Sequence, residues 1–139
     1  MRNSLKTLER IKKFELDEQR RLLVIEQELE ESLQNKLNNL ISSYEKEKKF
    51  VSENPGICDF GLYTEQYLKK RQKIETQIKE VQIKIEQIRD VMSDMFKEQK
   101  TYEMIDKNRR KAKQKEFEAQ EQKMLDEIGT NTYIKKHPQ

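Results

Sequence analysis

The sequence has few of the residues that interrupt helices. It contains three glycines, two prolines and no tryptophan in 139 residues. All of the glycines and prolines fall in two places, residues 55–61 and residues 129–138. Helix is therefore expected on both sides of one interior break at Asn54-Pro55-Gly56.

The residues of catalytic and metal sites are almost absent. Cys58 is the only cysteine and His137 the only histidine, so neither a disulfide within the chain nor a His/Cys metal site is expected. No glycine-rich phosphate loop or nucleophile motif is present, and two thin helices offer no pocket that excludes water. We therefore expect a protein that is not an enzyme and needs no cofactor.

Long hydrophobic runs are also missing. No stretch approaches the ~18 consecutive apolar residues that a membrane span needs, and residues 1–6 lead into no apolar run of signal-peptide length. A cytoplasmic protein is expected. Charged residues make up 40% of the chain, but 29 basic and 26 acidic side chains leave a net charge of only +3. This balance argues against nucleic acid as the default partner.

What the sequence does have is helical periodicity. Apolar residues recur at alternating steps of four and three, the pattern of a coiled-coil seam. The series is Ile74, Ile78, Val81, Ile85, Ile88, Met92 and Met95, followed by Gln99 and Tyr102. A seam on one helix requires a partner seam, and the N-terminal half supplies a second stripe. That stripe is Leu5, Leu8, Ile11, Phe14, Leu22, Ile25, Leu29, Leu33, Leu37, Leu40 and Tyr44.

Folding the chain at the break pairs residues whose numbers sum to about 114. The predicted pairs include Leu22 with Met92, Leu29 with Ile85, and Leu40 with Ile74. The expected fold is all-α: an antiparallel two-helix coiled-coil hairpin whose second helix is longer and overhangs the first. Residues 1–139 are expected to form a single coiled-coil domain, with a helix over 4–52 capped by Ser4, a turn over 53–61, a helix over 62–128 ended by Gly129, and a disordered tail over 129–139.

The predicted overhang carries the densest charge run, six cations between Lys107 and Lys115, and then scattered apolar residues such as Phe117. A solvated helix face and a docking strip for an acidic partner are equally good interpretations. A leucine-zipper transcription factor has the opposite order, because its basic region precedes the zipper. Aromatic residues cluster at the other end, around the turn, where they would plug the closed end of the hairpin or anchor a partner. These are Tyr44, Phe50, Phe60, Tyr63 and Tyr67.

Several features together resemble the FliJ family, the small export component of the bacterial flagellar type III secretion apparatus. They are a Leu-rich first arm closing on Tyr44, then Tyr63 and Tyr67-Leu68 at the start of the second arm, and the ending Gln122-Lys123-Met124-Leu125-Asp126-Glu127-Ile128. The resemblance implies a rod similar to the stalk inside rotary ATPase rings. It also implies three partners: the hexameric export ATPase, the cytoplasmic domain of the membrane export gate, and export chaperones.

The resemblance also implies sites. The ATPase-binding residues are expected at Arg109, Arg110, Lys111, Lys113, Phe117, Gln122, Lys123, Asp126 and Glu127. The residues that bind the export gate are expected at Tyr44, Tyr67, Arg71 and Ile74, although Arg71 stands where an apolar residue is more usual. The resemblance further implies a monomer that associates peripherally, through its partners, with the cytoplasmic face of the inner membrane.

Two alternatives satisfy the same pattern. One is the equivalent stalk protein of a virulence-type secretion system, which has the same physical requirements. The other is a parallel homodimeric coiled-coil scaffold, in which each arm pairs with its copy. A hairpin monomer has a mass of about 17 kDa and the dimer twice that, so the mass in solution separates the second alternative from the hairpin.

Overall fold

The computed structural model of the chain describes residues 2–57 and 59–136, and side chains from residue 4 onward. Over these residues the protein is all-helical. Helix α1 spans Arg2–Glu53 and helix α2 spans Phe60–Lys136. The two helices pack against each other, and the second is the longer. Cys58 and His137 lie outside the described residues, as do Pro138 and Gln139.

The break between the helices follows from its residues. At the end of α1 the Asn54 side chain donates to the Phe50 carbonyl at 3.0 Å, and Gly56 takes a left-handed φ of 91°, which costs glycine little. At the start of α2 the Leu62 backbone N–H donates to the Asp59 carboxylate at 3.3 Å. Asp59 is therefore the N-cap of α2, and Phe60 and Gly61 are helical, not part of the turn as predicted.

The predicted outer boundaries need correction. Helix α1 begins at Arg2, so Ser4 lies inside the helix and is not its cap. Helix α2 continues through Gly129 to Lys136, so residues 129–136 are not the disordered tail that the sequence predicted. A helical glycine costs only ~1 kcal/mol relative to alanine. Lys135 and Lys136 lie in the last turn of the helix, where positive charge interacts favourably with the helix dipole.

Contacts divide the chain into two compact units, Arg10–Met95 and a second unit made of Met1–Glu9 with Phe96–Gln139. In the first unit, the buried residues of α2 are apolar or aromatic and follow a heptad spacing. They are Tyr67, Ile74, Ile78, Val81 and Ile85. In the second unit, Leu5 and Leu8 of α1 are half-buried, as are Gln99, Tyr102 and Asp106 of α2. Every described residue beyond Asp106 is exposed.

On α2 the predicted series from Ile74 to Tyr102 is confirmed: each of its members is buried or half-buried. On α1 the stripe is confirmed only in part. Leu33, Leu37, Leu40 and Tyr44 are half-buried, but five of the predicted members are exposed instead. These are Ile11, Phe14, Leu22, Ile25 and Leu29. The covered positions in that part of α1 include Leu16, Gln19, Leu23, Glu26 and Glu30.

The predicted pairing is also displaced. Two contacts join the helices at defined positions: the rings of Tyr44 and Tyr67 stack, and the Gln82 amide donates to the Glu30 carboxylate at 3.3 Å. Their residue numbers sum to 111 and 112, below the predicted 114. The physical reason is the strict heptad of α2, which a packed partner must share. A heptad traced back from Tyr44 reaches Glu30, Glu26 and Leu23, and misses Leu29 and Leu22.

Candidate functional site

The C-terminal segment, defined here as residues 107–136, consists of α2 with no described residue of α1 covering it. All thirty positions are exposed. Its polar contacts lie along the helix: Arg110 pairs with Asp106 at 3.1 Å, and Gln122 donates to Asp126 at 3.1 Å. Contacts between residues four apart support the helix itself. They leave its whole surface open to a partner.

The cations of this segment lie on opposite sides of the helix. At 100° per residue, Lys107, Lys111 and Lys115 share one side, and no acidic residue lies among the six cations from Lys107 to Lys115. Arg109, Arg110 and Lys113 share the opposite side. A collar of positive charge fits an opening that surrounds the helix better than a flat surface or a single groove.

Beyond the collar the segment is two-sided. Phe117, Met124 and Ile128 follow one another at seven and four residues, so they share a face, and all are more than half exposed. Of the other predicted ATPase-binding residues, Gln122, Lys123 and Asp126 lie on the opposite face by the same geometry, with Glu127 beside them. The nine predicted residues therefore share one helix segment but not one face.

The four predicted gate-binding residues lie together near the other end of α2. Tyr67 and Ile74 are buried, whereas Tyr44 and Arg71 are half-buried. The Arg71 guanidinium bonds the Glu75 carboxylate at 2.9 Å and the Tyr67 hydroxyl at 3.1 Å. These hydrogen bonds, that to Glu75 above all, raise the pKa of Arg71. Arg71 can therefore occupy a position where an apolar residue is more usual, because its half-buried side chain is hydrogen-bonded to Glu75 and Tyr67.

Tyr44 is the centre of an aromatic stack. Its ring lies 3.9 Å from that of Tyr67, 5.6 Å from Phe60 and 6.1 Å from Tyr63, all near parallel. Its hydroxyl also shares a hydrogen bond with Thr64 at 3.0 Å. The expected plug of aromatic residues is thus present in the described structure, apart from Phe50, which is half exposed. Within the stack Tyr67 is buried and Tyr44 and Phe60 are half-buried, so Tyr63 is the member most open to a partner.

Next to this stack is a cleft of about 520 Å³ between the helices. Leu40 and Ile74 line it with apolar surface, and Lys36, Lys70 and Lys73 surround them, together with Asn39, Ser43 and Gln77. Of the predicted gate-binding residues only Ile74 lines the cleft. The three lysines were missed by the sequence reasoning, although Lys70 and Lys73 stand four residues and one residue before the seam position Ile74, which was a usable signal.

Comparison with protein-family models, with curated proteins and with solved structures finds no match for this chain. Among the described residues, no three His, Cys, Asp or Glu side chains are grouped so that they could hold a metal ion. Within the same residues, neither helix contains a stretch long and apolar enough to cross a membrane. The resemblance to the FliJ family therefore rests on the sequence features given above.

Proposed function

We propose that the chain is a non-enzymatic, stalk-like component of a bacterial type III protein export apparatus, of the FliJ type. In this proposal α1 and α2 form an antiparallel coiled-coil hairpin, and the C-terminal segment overhangs it. The observation that supports the proposal is the segment itself: thirty exposed helical residues with cations on two opposite sides. Most helical stability in proteins comes from packing against other elements, so an enclosing partner supplies what the segment lacks.

The proposed partner of the segment is a hexameric export ATPase, whose central pore the segment enters. Arg109, Arg110, Lys111 and Lys113 then meet an acidic pore lining, and Phe117 supplies an apolar contact. Gln122, Lys123, Asp126 and Glu127 act beyond the collar. A single helix has no six-fold symmetry, so it engages only one or two subunits closely at a time. Changes in the nucleotide state of the ring then shift which subunits it touches.

The proposed second contact is with the cytoplasmic domain of the export gate, at the cleft beside the aromatic stack. Because Tyr67 and Ile74 are buried, the gate meets mainly the cleft rim, where Lys70 and Lys73 favour an acidic partner surface. Tyr44, Tyr67 and Arg71 lie outside the cleft lining and support the contact through the neighbouring aromatic stack. Binding of export chaperones and peripheral association with the cytoplasmic face of the inner membrane belong to the same proposal.

Charge reversal tests the first contact. We expect Arg109→Glu, Arg110→Glu and Lys113→Glu together to weaken binding to the purified hexameric export ATPase by about tenfold or more, with a strong dependence on salt. The matched control reverses Lys46, Lys48 and Lys49, three exposed cations on α1, and should bind as the unaltered chain does. Equal binding by both variants would remove the pore assignment.

The gate contact is tested separately. Lys70→Glu with Lys73→Glu should weaken binding to the export-gate domain and leave ATPase binding unchanged. A virulence-type stalk remains the alternative within the same class, and binding measured in parallel to the ATPases of the two systems separates it. The scaffold dimer makes a different prediction, namely twice the mass at all concentrations.

A further inference from the structure

The five exposed residues that the sequence had assigned to the seam form a second apolar stripe on α1. Ile11, Phe14, Leu22, Ile25 and Leu29 are 37–68% exposed, and at 100° per residue they lie within about 80° of arc. The seam side of α1 in this region, at Leu16 and Leu23, is roughly 100° away. All of these residues belong to the same compact unit. The stripe is therefore a separate face about 27 Å long, which contact with α2 does not explain.

The spacing of this stripe is nearly palindromic. The apolar residues and Glu18 stand at positions 11, 14, 18, 22, 25 and 29. A two-fold axis near residue 20 places Ile11 opposite Leu29, Phe14 opposite Ile25, and Glu18 opposite Leu22. A helix with such a stripe is complementary to itself when a second copy lies antiparallel to it, which is the requirement for an isologous contact.

The charges along the stripe have the same property. At 100° per residue, Arg10 and Glu28 flank the stripe on the same side, each about 80° from its centre, and residues 22–35 contain no Lys or Arg. In the antiparallel arrangement Arg10 stands near Glu28 of the other copy, whereas Lys13 and Glu31 point away from the stripe. A parallel arrangement places like charges together at both ends, which is unfavourable.

The middle of the stripe does not oppose this arrangement. Arg20 pairs with Asp17 at 3.0 Å, and Arg21 pairs with Glu18 at 3.1 Å. These pairs within the helix neutralise the region that lies on the two-fold axis. We infer that this stripe is a self-association surface, on which a second copy of the chain packs with its α1 antiparallel. The inference goes beyond the proposed function and does not depend on it.

The dimer is expected to be weak. One helix pair over about twenty residues is at the small end of protein interfaces, where contacts are transient. The chain is then monomeric when dilute and dimeric at high concentration.

A charge-swap experiment tests the arrangement. Sedimentation equilibrium over a concentration series should show dimer for the unaltered chain and at least tenfold weaker dimerisation for Arg10→Glu. Glu28→Lys should weaken it likewise, whereas Lys13→Glu, at a position that points away from the stripe, is the matched control and should change it little. An equimolar mixture of the Arg10→Glu and Glu28→Lys variants should restore dimer, because both ends of the mixed dimer are again complementary. No dimer of the unaltered chain at millimolar concentration, or no restoration in the mixture, would overturn the inference.

Disulfide trapping tests the orientation. In a Cys58→Ser background, Ile11→Cys and Leu29→Cys proteins mixed under oxidation should give the mixed disulfide dimer, and each alone should give little. A disulfide between two Ile11→Cys chains would indicate parallel pairing and contradict the inference. Protection of the stripe in a monomer, detected as a disulfide within a Leu22→Cys, Met92→Cys chain, would show that α2 covers it and would contradict the inference as well.

Discussion

The ring of Tyr44 in α1 stacks on the ring of Tyr67 in α2, with centroids 3.9 Å apart and planes within 5° of parallel. The stack continues through Phe60 and Tyr63, and Thr64 holds the Tyr44 hydroxyl. These contacts join residues on opposite sides of the break, and they fix the position of the first turns of α2 against α1. The aromatic stack therefore determines the register from which the rest of the seam follows.

Loss of the Tyr44 ring should destabilise the protein. Tyr44→Leu removes the stacking and the hydrogen bond to Thr64, which together contribute about 1–3 kcal/mol. Phe50→Leu is the matched control, because Phe50 is half exposed and about one and a half turns away on the same helix, and it should cost less than about 0.5 kcal/mol. Urea unfolding followed by circular dichroism measures both. Equal losses would mean that the stack contributes nothing particular.

Glu26 is the reverse case, a seam position occupied by a charged residue. Its Oε2 atom is buried without a hydrogen-bond partner, which carries a desolvation cost of about 1–3 kcal/mol. Glu26→Leu should therefore raise the free energy of unfolding by about 1 kcal/mol or more. Glu28→Leu, at an exposed position of the same helix, should change it little. A destabilised Glu26→Leu variant would show that the Glu26 carboxylate has a hydrogen-bond partner in solution and stabilises the seam.

Hydrogen exchange should separate the covered and uncovered parts of α2. Amides around Ile78, Val81 and Ile85 lie in the buried core and should exchange slowly, by global unfolding. Amides of residues 110–125 have no covering helix in the described structure and should exchange much faster. Addition of the export ATPase should slow the second group alone. Equal protection in the free protein would indicate that the C-terminal segment is already covered.

Much of the fold was predictable from the sequence, because α2 keeps apolar residues on a strict heptad from Ile74 to Met95 and the only glycines and prolines before residue 129 fall at one break, residues 55–61. The N-terminal half of α1 was not. Its apolar residues Ile11, Phe14, Leu22, Ile25 and Leu29 lie on one stripe, whereas its packed positions follow the heptad of α2. Counting apolar residues finds the first pattern. Only the contact with α2 selects the second, which brings Gln19 and Glu26 into the covered face.

The predicted sites divide in the same way. The exposed cations of the C-terminal segment follow directly from the point at which the apolar heptad ends. The burial of Tyr67 and Ile74 and the lysine-rimmed cleft depend on where the two helices actually meet. A shift of two to three residues in register separates the predicted pairing from the observed one. Sequence spacing alone predicted that the numbers of paired residues sum to about 114, whereas the two observed contacts give sums of 111 and 112.

The most direct test of the hairpin is an electron–electron distance measurement on a single chain with spin labels at positions 30 and 82, where Glu30 and Gln82 are in hydrogen-bond contact. Diluting the labelled protein with a large excess of unlabelled protein removes distances between chains. The account predicts a short distance that persists unchanged at high dilution. A distance that is long, or that disappears on dilution, would mean that the two helices pair with other chains and would contradict it.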